Sequence, residues 1–164
     1  MNKLFVVCVF AMTAAAPAGA QQAGGMSAME YYVGTWACTG GPTANAPVKA
    51  TTTYVMNGDV LSQSVSVPMQ PGMKSPLSIS LAYVYDGKSR YLQTYLDSRG
   101  SWNVSYAPPW TGNTEKWTDL SSNNGKLGRG EAVRTDHDHY TFTGYATPTG
   151  STPNFKITCG RQSS

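Results

Sequence analysis

The residues best suited to chemistry in this chain are few and scattered. Asp136-His137-Asp138-His139 sets two imidazoles two positions apart among carboxylates, a spacing that could hold a metal ion if both rings faced one way. The same four residues also read as a turn, where Asp and His are favoured for local hydrogen bonding, and position implies no third ligand, so no metal is expected. Nucleophilic catalysis has no foothold: the sequence contains no Gly-x-Ser-x-Gly, no phosphate loop and no dinucleotide-binding fingerprint. After Glu30 only Glu115 and Glu131 remain as glutamates, and the sequence places neither on an interior face. Arg90 is the one cation that, with neighbouring tyrosines, could orient an anionic substrate. No catalytic residue and no cofactor is assigned.

Three cysteines are present, Cys8, Cys38 and Cys159. The first lies in a segment, 1–20, that reads as a secretory signal: Lys3, an apolar run over 4–16, then Ala18-Gly19-Ala20 as a small-residue cleavage site. That run is shorter than the roughly 20 residues of a membrane span. Val6 and Val7 precede Cys8, against a lipid-modified cysteine. The mature chain, 21–164, is thus expected to be exported, to a periplasm or beyond the cell. It keeps two cysteines, which in an oxidising compartment suggest one disulfide, the alternative being two unrelated buried thiols.

Those residues must be positioned by strands. About 144 mature residues suit a single domain, without solenoid repeats or low-complexity tracts. Removing Lys3 takes the 12 basic residues to 11 against 9 acidic, a scattered net charge of +2 that argues against nucleic acid or an anionic membrane as partner. Ser27-Ala-Met-Glu30 has the capping-box pattern and predicts a short helix through Tyr32, ended by Gly34. Everything after it reads as roughly ten short strands divided by turn signals, hence a sandwich or a barrel.

Turns set the expected register. Asn57-Gly58 as a two-residue turn pairs Tyr54 with Leu61 and Thr52 with Gln63. Asp86-Gly87 read the same way pairs Tyr83 with Arg90 and Leu81 with Leu92. Ser98-Arg99-Gly100 suits a three-residue connection that sets Leu96 against Trp102, Thr94 against Val104 and Leu92 against Tyr106. The apolar face so deduced includes Leu92, Thr94 and Leu96, along with the polar Thr52, Gln63 and Arg90. A solid core seldom buries that much polarity, whereas a barrel enclosing a cavity uses it for anchoring. Alternatively, Arg90 sits at a wet rim beside its turn.

In this context Gly34-Thr35-Trp36 opens the first strand of a long meander, directly after a short helical turn. The stretch resembles the calycin group of lipocalins, fatty-acid-binding proteins and nitrobindins, whose first barrel strand carries Gly-x-Trp. It is most similar to exported bacterial lipocalin-like domains of unknown function that begin Val-Gly-Thr-Trp. The resemblance implies an all-β, antiparallel up-and-down barrel of about ten strands, with the helix closing one end and with Gly34 and Trp36 in structural roles. Barrel closure between the first and last strands would bring Cys38 beside Cys159. A nitrobindin has glycine where Cys38 stands and binds haem through a histidine near its C-terminal end; no histidine follows His139 here, so haem is not expected.

Three classes of function follow. The leading one is a module holding a small, partly apolar ligand, with Arg90 and Gln63 as anchors and Tyr83, Leu92, Trp102 and Tyr106 as walls. The second is an isomerase- or cyclase-type enzyme in the same cavity. In the third the barrel is filled and a loop bearing Trp110 engages another protein.

Overall fold

The protein is described by a computed structural model covering residues 25–43 and 46–163. The expected leader, Cys8 and the first mature residues lie outside the described residues. Ten strands follow a 3-10 helix of Met26–Tyr32: β1 Gly34–Pro42, β2 Val48–Asn57, β3 Val60–Val67, β4 Leu77–Tyr85, β5 Tyr91–Asp97, β6 Trp102–Ala107, β7 Thr114–Ser122, β8 Arg129–Arg134, β9 His139–Tyr145 and β10 Pro153–Arg161. Each strand pairs with its sequence neighbours, and β1 pairs antiparallel with β10, which closes the barrel. The expected fold class is therefore the observed one. No helix among the described residues is long and apolar enough to cross a membrane.

Closure puts Cys38 directly opposite Cys159, with Cα atoms 4.1 Å apart, and the two form a disulfide. The helix differs from its expected start. Gly25 stands at the N-cap, no side chain caps it, and Ser27 lies within the helix, so the capping box is not formed.

The helix plugs one end, and Trp36 is its seat. Fully buried at the start of β1, Trp36 donates from Nε1 to the Tyr32 carbonyl at 2.8 Å. Arg161, opposite it on β10, stacks on its ring with Cζ 4.2 Å from the centroid and donates to the carbonyls of Val33 and Tyr31 at 2.6 Å each. Gly40 supplies a close approach elsewhere on the same seam: with φ at 147°, its Cα faces β10 so tightly that a Cβ would collide with the Lys156 carbonyl.

The first expected turn moves by one residue, which shifts the pairing by two. Gly58-Asp59 form the connection, Asn57 pairs with Val60, and Tyr54 faces Gln63 rather than Leu61. An even displacement leaves every side chain on its face, so Thr52, Tyr54, Leu61 and Gln63 point inward as expected. The second turn is displaced by three. Asp86 Oδ1 accepts from the backbone N–H groups of Lys88, Ser89 and Arg90 at 2.9, 2.9 and 3.0 Å, organising a five-residue loop in place of a two-residue turn. Tyr83 consequently faces Gln93 and Leu81 faces Tyr95.

An odd displacement inverts the strand. Tyr91, Gln93 and Tyr95 point inward, whereas Leu92, Thr94 and Leu96 point out. The next hairpin has the expected pairs, Leu92 with Tyr106, Thr94 with Val104 and Leu96 with Trp102, yet it inherits the inversion. Leu92, Trp102 and Tyr106, expected as interior walls, are thereby corrected to the outer face, where Leu96 is 55% and Trp102 42% exposed.

Candidate functional site

The interior divides into a sealed end under the helix and an open half beyond it. At the sealed end the aromatic rings interlock. Tyr32 stacks on Tyr54 with centroids 5.2 Å apart, meets Tyr140 edge-on at 5.3 Å, and lies 5.8 Å from Trp110. The Tyr54 and Tyr140 hydroxyls are 3.0 Å apart. Burial pushes the Tyr32 and Tyr54 pKa values well above the usual phenol range and that of Tyr140 up to about 12. These rings stay neutral donors and acceptors.

Glu115 stands among them on β7, 2% exposed, accepting from the Tyr32 hydroxyl at 3.2 Å through Oε2. Burial raises its pKa from 4.5 to about 7, against the opposing influence of Trp117, Tyr32 and the Arg134 charge. Arg134, half-buried on β8, has its guanidinium Cζ 3.2 Å from the Trp110 ring centroid and 4.7 Å from that of Tyr31. Burial also lowers the Arg134 pKa. Sequence reasoning missed this acid and this cation. The signal was parity: Trp117 demands the interior, and Glu115, two residues before it, must share that face. Trp110, expected on an exposed loop, is corrected to a buried position, 7% exposed beneath the Arg134 guanidinium.

In the open half the inward residues are only partly covered. Gln63, Leu81, Gln93, Tyr95, Phe142 and Ile157 all point inward from mid-strand positions, and all remain half-buried. Tyr83 marks the boundary, buried, with its hydroxyl donating to Gln63 Oε1 and its ring edge-on to Trp117 at 5.6 Å. At the far mouth a cavity of about 300 Å³ is lined by Tyr95, Asn103, Asp119, Gly128, Tyr145 and Asn154, with Trp102 at its rim. Asp119 organises this wall, accepting from Ser105 Oγ at 2.7 Å, Asn103 Nδ2 at 3.2 Å and the Gly128 N–H at 2.8 Å. Hydroxyls, amides and aromatic faces thus meet an apolar interior, an arrangement suited to a small amphipathic molecule.

Of the ligand-binding residues expected from sequence, the anchor Gln63 and the wall residue Tyr83 are brought together inside. Arg90 is not. It lies in the β4–β5 loop with its side chain 49% exposed, paired with Asp86 at 2.9 Å and 5.9 Å from the Tyr106 ring centroid on the outer surface. The Arg90 hydrogen bond and the three loop N–H groups hold the Asp86 carboxyl well below the usual carboxylate range. His137 sits in the β8–β9 loop and His139 at the first position of β9, each bonded through Nδ1 to a neighbouring carboxylate, Asp138 and Asp136 respectively, at 2.8 Å.

No protein-family model matches the chain, and no curated protein does. Solved structures do. The crystal structure of Rv2717c from M. tuberculosis is 13% identical in sequence and superposes with a TM-score of 0.61, covering 84% of this chain and 97% of that one. A redesigned beta barrel, b11L5F_LGL, is 14% identical with a TM-score of 0.44, covering 82% of this chain and 94% of that one. The likeness to Rv2717c shows a common barrel fold.

Proposed function

We propose that this chain is an exported, calycin-like carrier that holds a small, partly apolar ligand in the open half of its barrel. The observation that carries the reading is the contrast between the two ends. Side chains fill the sealed end, whereas inward residues at mid-barrel, Gln63 and Gln93 among them, stay half-buried. Leucine, isoleucine and phenylalanine supply apolar walls there, and the Gln63–Tyr83 pair supplies a polar anchor. The disulfide and the leader-like segment support export.

A second reading rests on the outer surface. Leu96 and Trp102 face each other across β5 and β6, both exposed, with Leu92, Val104 and Tyr106 alongside. That stripe suits contact with another protein.

One titration separates the two. Nile red, a neutral apolar dye, is added to the wild type, to Gln93→Phe, which fills the interior, and to Leu92→Ala, which trims the outer stripe. Carriage inside the barrel requires Gln93→Phe to weaken dye binding by about ten-fold or more, with Leu92→Ala near wild type. The reverse pattern would reject the interior site and favour the outer one.

A further inference from the structure

The cavity at the far mouth of the barrel joins room for a guest to unused hydrogen-bonding capacity. It measures about 300 Å³, the lower end of the range for small-molecule sites, so it admits a single ring rather than an extended chain. Four asparagines and four hydroxyl-bearing residues line it, with Asp119 and Lys126 as its only charged groups among the described residues. The lining is thus polar and, taken together, neutral.

Some of these residues are already committed to the wall. Asn123 Nδ2 donates to the Gly100 carbonyl at 3.0 Å, and its Oδ1 accepts from the Trp102 N–H at 3.3 Å. Asn124 Oδ1 accepts from the Lys126 N–H at 2.9 Å and from Ser122 Oγ at 3.0 Å.

What is left for a guest comes from four others. Asp119 Oδ2 accepts only the Gly128 N–H, and the Tyr95 hydroxyl donates to Asp97 Oδ2, so both oxygens keep lone pairs. Lys126 bonds only through its backbone N–H and carbonyl among the described residues. Asn154 stands at the bulge between Pro153 and Phe155, its amide in no hydrogen bond among the described residues. Its Oδ1 lies 3.8 Å from where a Cβ on the inward-facing Gly144 would stand, which brings the amide over the interior.

The cavity therefore offers three acceptors, Asp119 Oδ2, Tyr95 Oη and Asn154 Oδ1, and two donor groups, Asn154 Nδ2 and the Lys126 ammonium. An apolar guest would strip water from all of them without return. An anion would meet Asp119 and a cation would meet Lys126, each after giving up its own hydration. Hydroxyl groups suit the mixture, because one oxygen both donates and accepts. A compact neutral ring that carries several of them is a sugar.

We propose that the far mouth is a binding site for a neutral sugar ring, held by Asp119, Tyr95, Asn154 and Lys126. The ring comes either as a free sugar or as the head group of the molecule carried in the open half; only the second source rests on the carriage proposed above. In that case the tail runs inward to Leu81, Phe142 and Ile157.

The test titrates the purified protein with the methyl glycosides of glucose, galactose, mannose and N-acetylglucosamine, followed by amide NMR. Sodium acetate and methylammonium chloride serve as charged controls. At least one glycoside should move the side-chain amide signals of Asn103 and Asn154 saturably, with a Kd of about 10 mM or tighter, and the controls should not. Asn154→Ala and Tyr95→Phe, read at Asn103, should each weaken that glycoside about five-fold or more. Asn154 is exposed, so its variant decides the matter if Tyr95→Phe fails to fold.

The octyl glycoside of the same sugar, kept below its critical micelle concentration, separates the two sources. Binding at least about ten-fold tighter than the methyl glycoside, with displacement of Nile red, identifies a carried head group. Equal affinity, with Nile red retained, identifies a free sugar. A protein that binds a glycoside here but never binds Nile red keeps this site and loses the carriage. No response to any of the methyl glycosides would overturn the proposal, as would equal responses to the charged controls or wild-type affinity in both variants.

Discussion

Replacing Glu115 by Gln should make the protein more stable at neutral and alkaline pH. The carboxyl is carried from 4.5 in the unfolded chain to about 7 in the fold, chiefly by burial. Because the folded value is the higher one, the neutral acid costs nothing below about pH 4.5, where both states are protonated. As pH rises through that value the unfolded chain ionises first, and native stability falls until the folded group ionises near 7. At about 1.4 kcal/mol per pKa unit, the loss across that window is roughly 3 kcal/mol. For a domain of this size the corresponding drop in melting temperature is about 10 °C.

Carboxylates held low, namely Asp86, Asp97 and Asp136, exert their effect in more acid solution and leave this window clear. Gln preserves the shape and the acceptor for Tyr32 but cannot ionise. Circular-dichroism melts at about pH 5, 6, 7 and 8 should show the wild type losing stability with rising pH. The difference between variant and wild type should grow to roughly 3 kcal/mol at the top of the range. A variant whose stability tracks the wild type at every pH would refute the assignment of a buried, raised Glu115. A wild type that gains stability over the same interval would do so equally.

Two further outcomes concern the seam that closes the barrel. Replacing Cys38 and Cys159 together by Ala frees a loop with a sequence separation of 121, and urea denaturation should register a loss of about 4 to 5 kcal/mol. A loss below about 1 kcal/mol would show that strand pairing alone sets the closure. Gly40→Ala, which drives a Cβ into the Lys156 backbone from a left-handed φ, should cost more than about 2 kcal/mol. The same change at Gly58, whose φ is 58° but whose surroundings are open, should cost about 1 kcal/mol.

Much of the fold was legible because turn residues and alternating patterns carry it. Gly34-x-Trp36 on β1, the β1–β10 closure with its disulfide and the hairpin at Ser98-Arg99-Gly100 all lie where the residues place them. Register failed where one side chain rewrote a turn. The pairing at Asn57-Gly58 slipped by two and did no harm, whereas Asp86, by binding three successive N–H groups, lengthened its loop and turned β5 over. Preferring leucine for the interior compounded the error, since β5 turns its tyrosines inward, with Tyr91 bonded to the Gly25 carbonyl at 2.9 Å and Tyr95 to Asp97 at 3.0 Å. The register of β7 against β8, which sets Glu115 opposite Ala132, had no turn to fix it, and only the parity with Trp117 pointed Glu115 inward.

Arg161 joins parts of the barrel that lie far apart in sequence. The residue that holds the helix by the carbonyls of Tyr31 and Val33 belongs to the last strand, as does the partner of Cys38. Neither the plug nor the closing seam can therefore form until β10 has been made. Until then β1 and the growing end of the meander are both open edges, each able to pair with a neighbouring chain. Contacts so distant in sequence also make for slow folding. The structure is stitched last at the point where it began, and the interval before that stitch is when the chain is most exposed to aggregation.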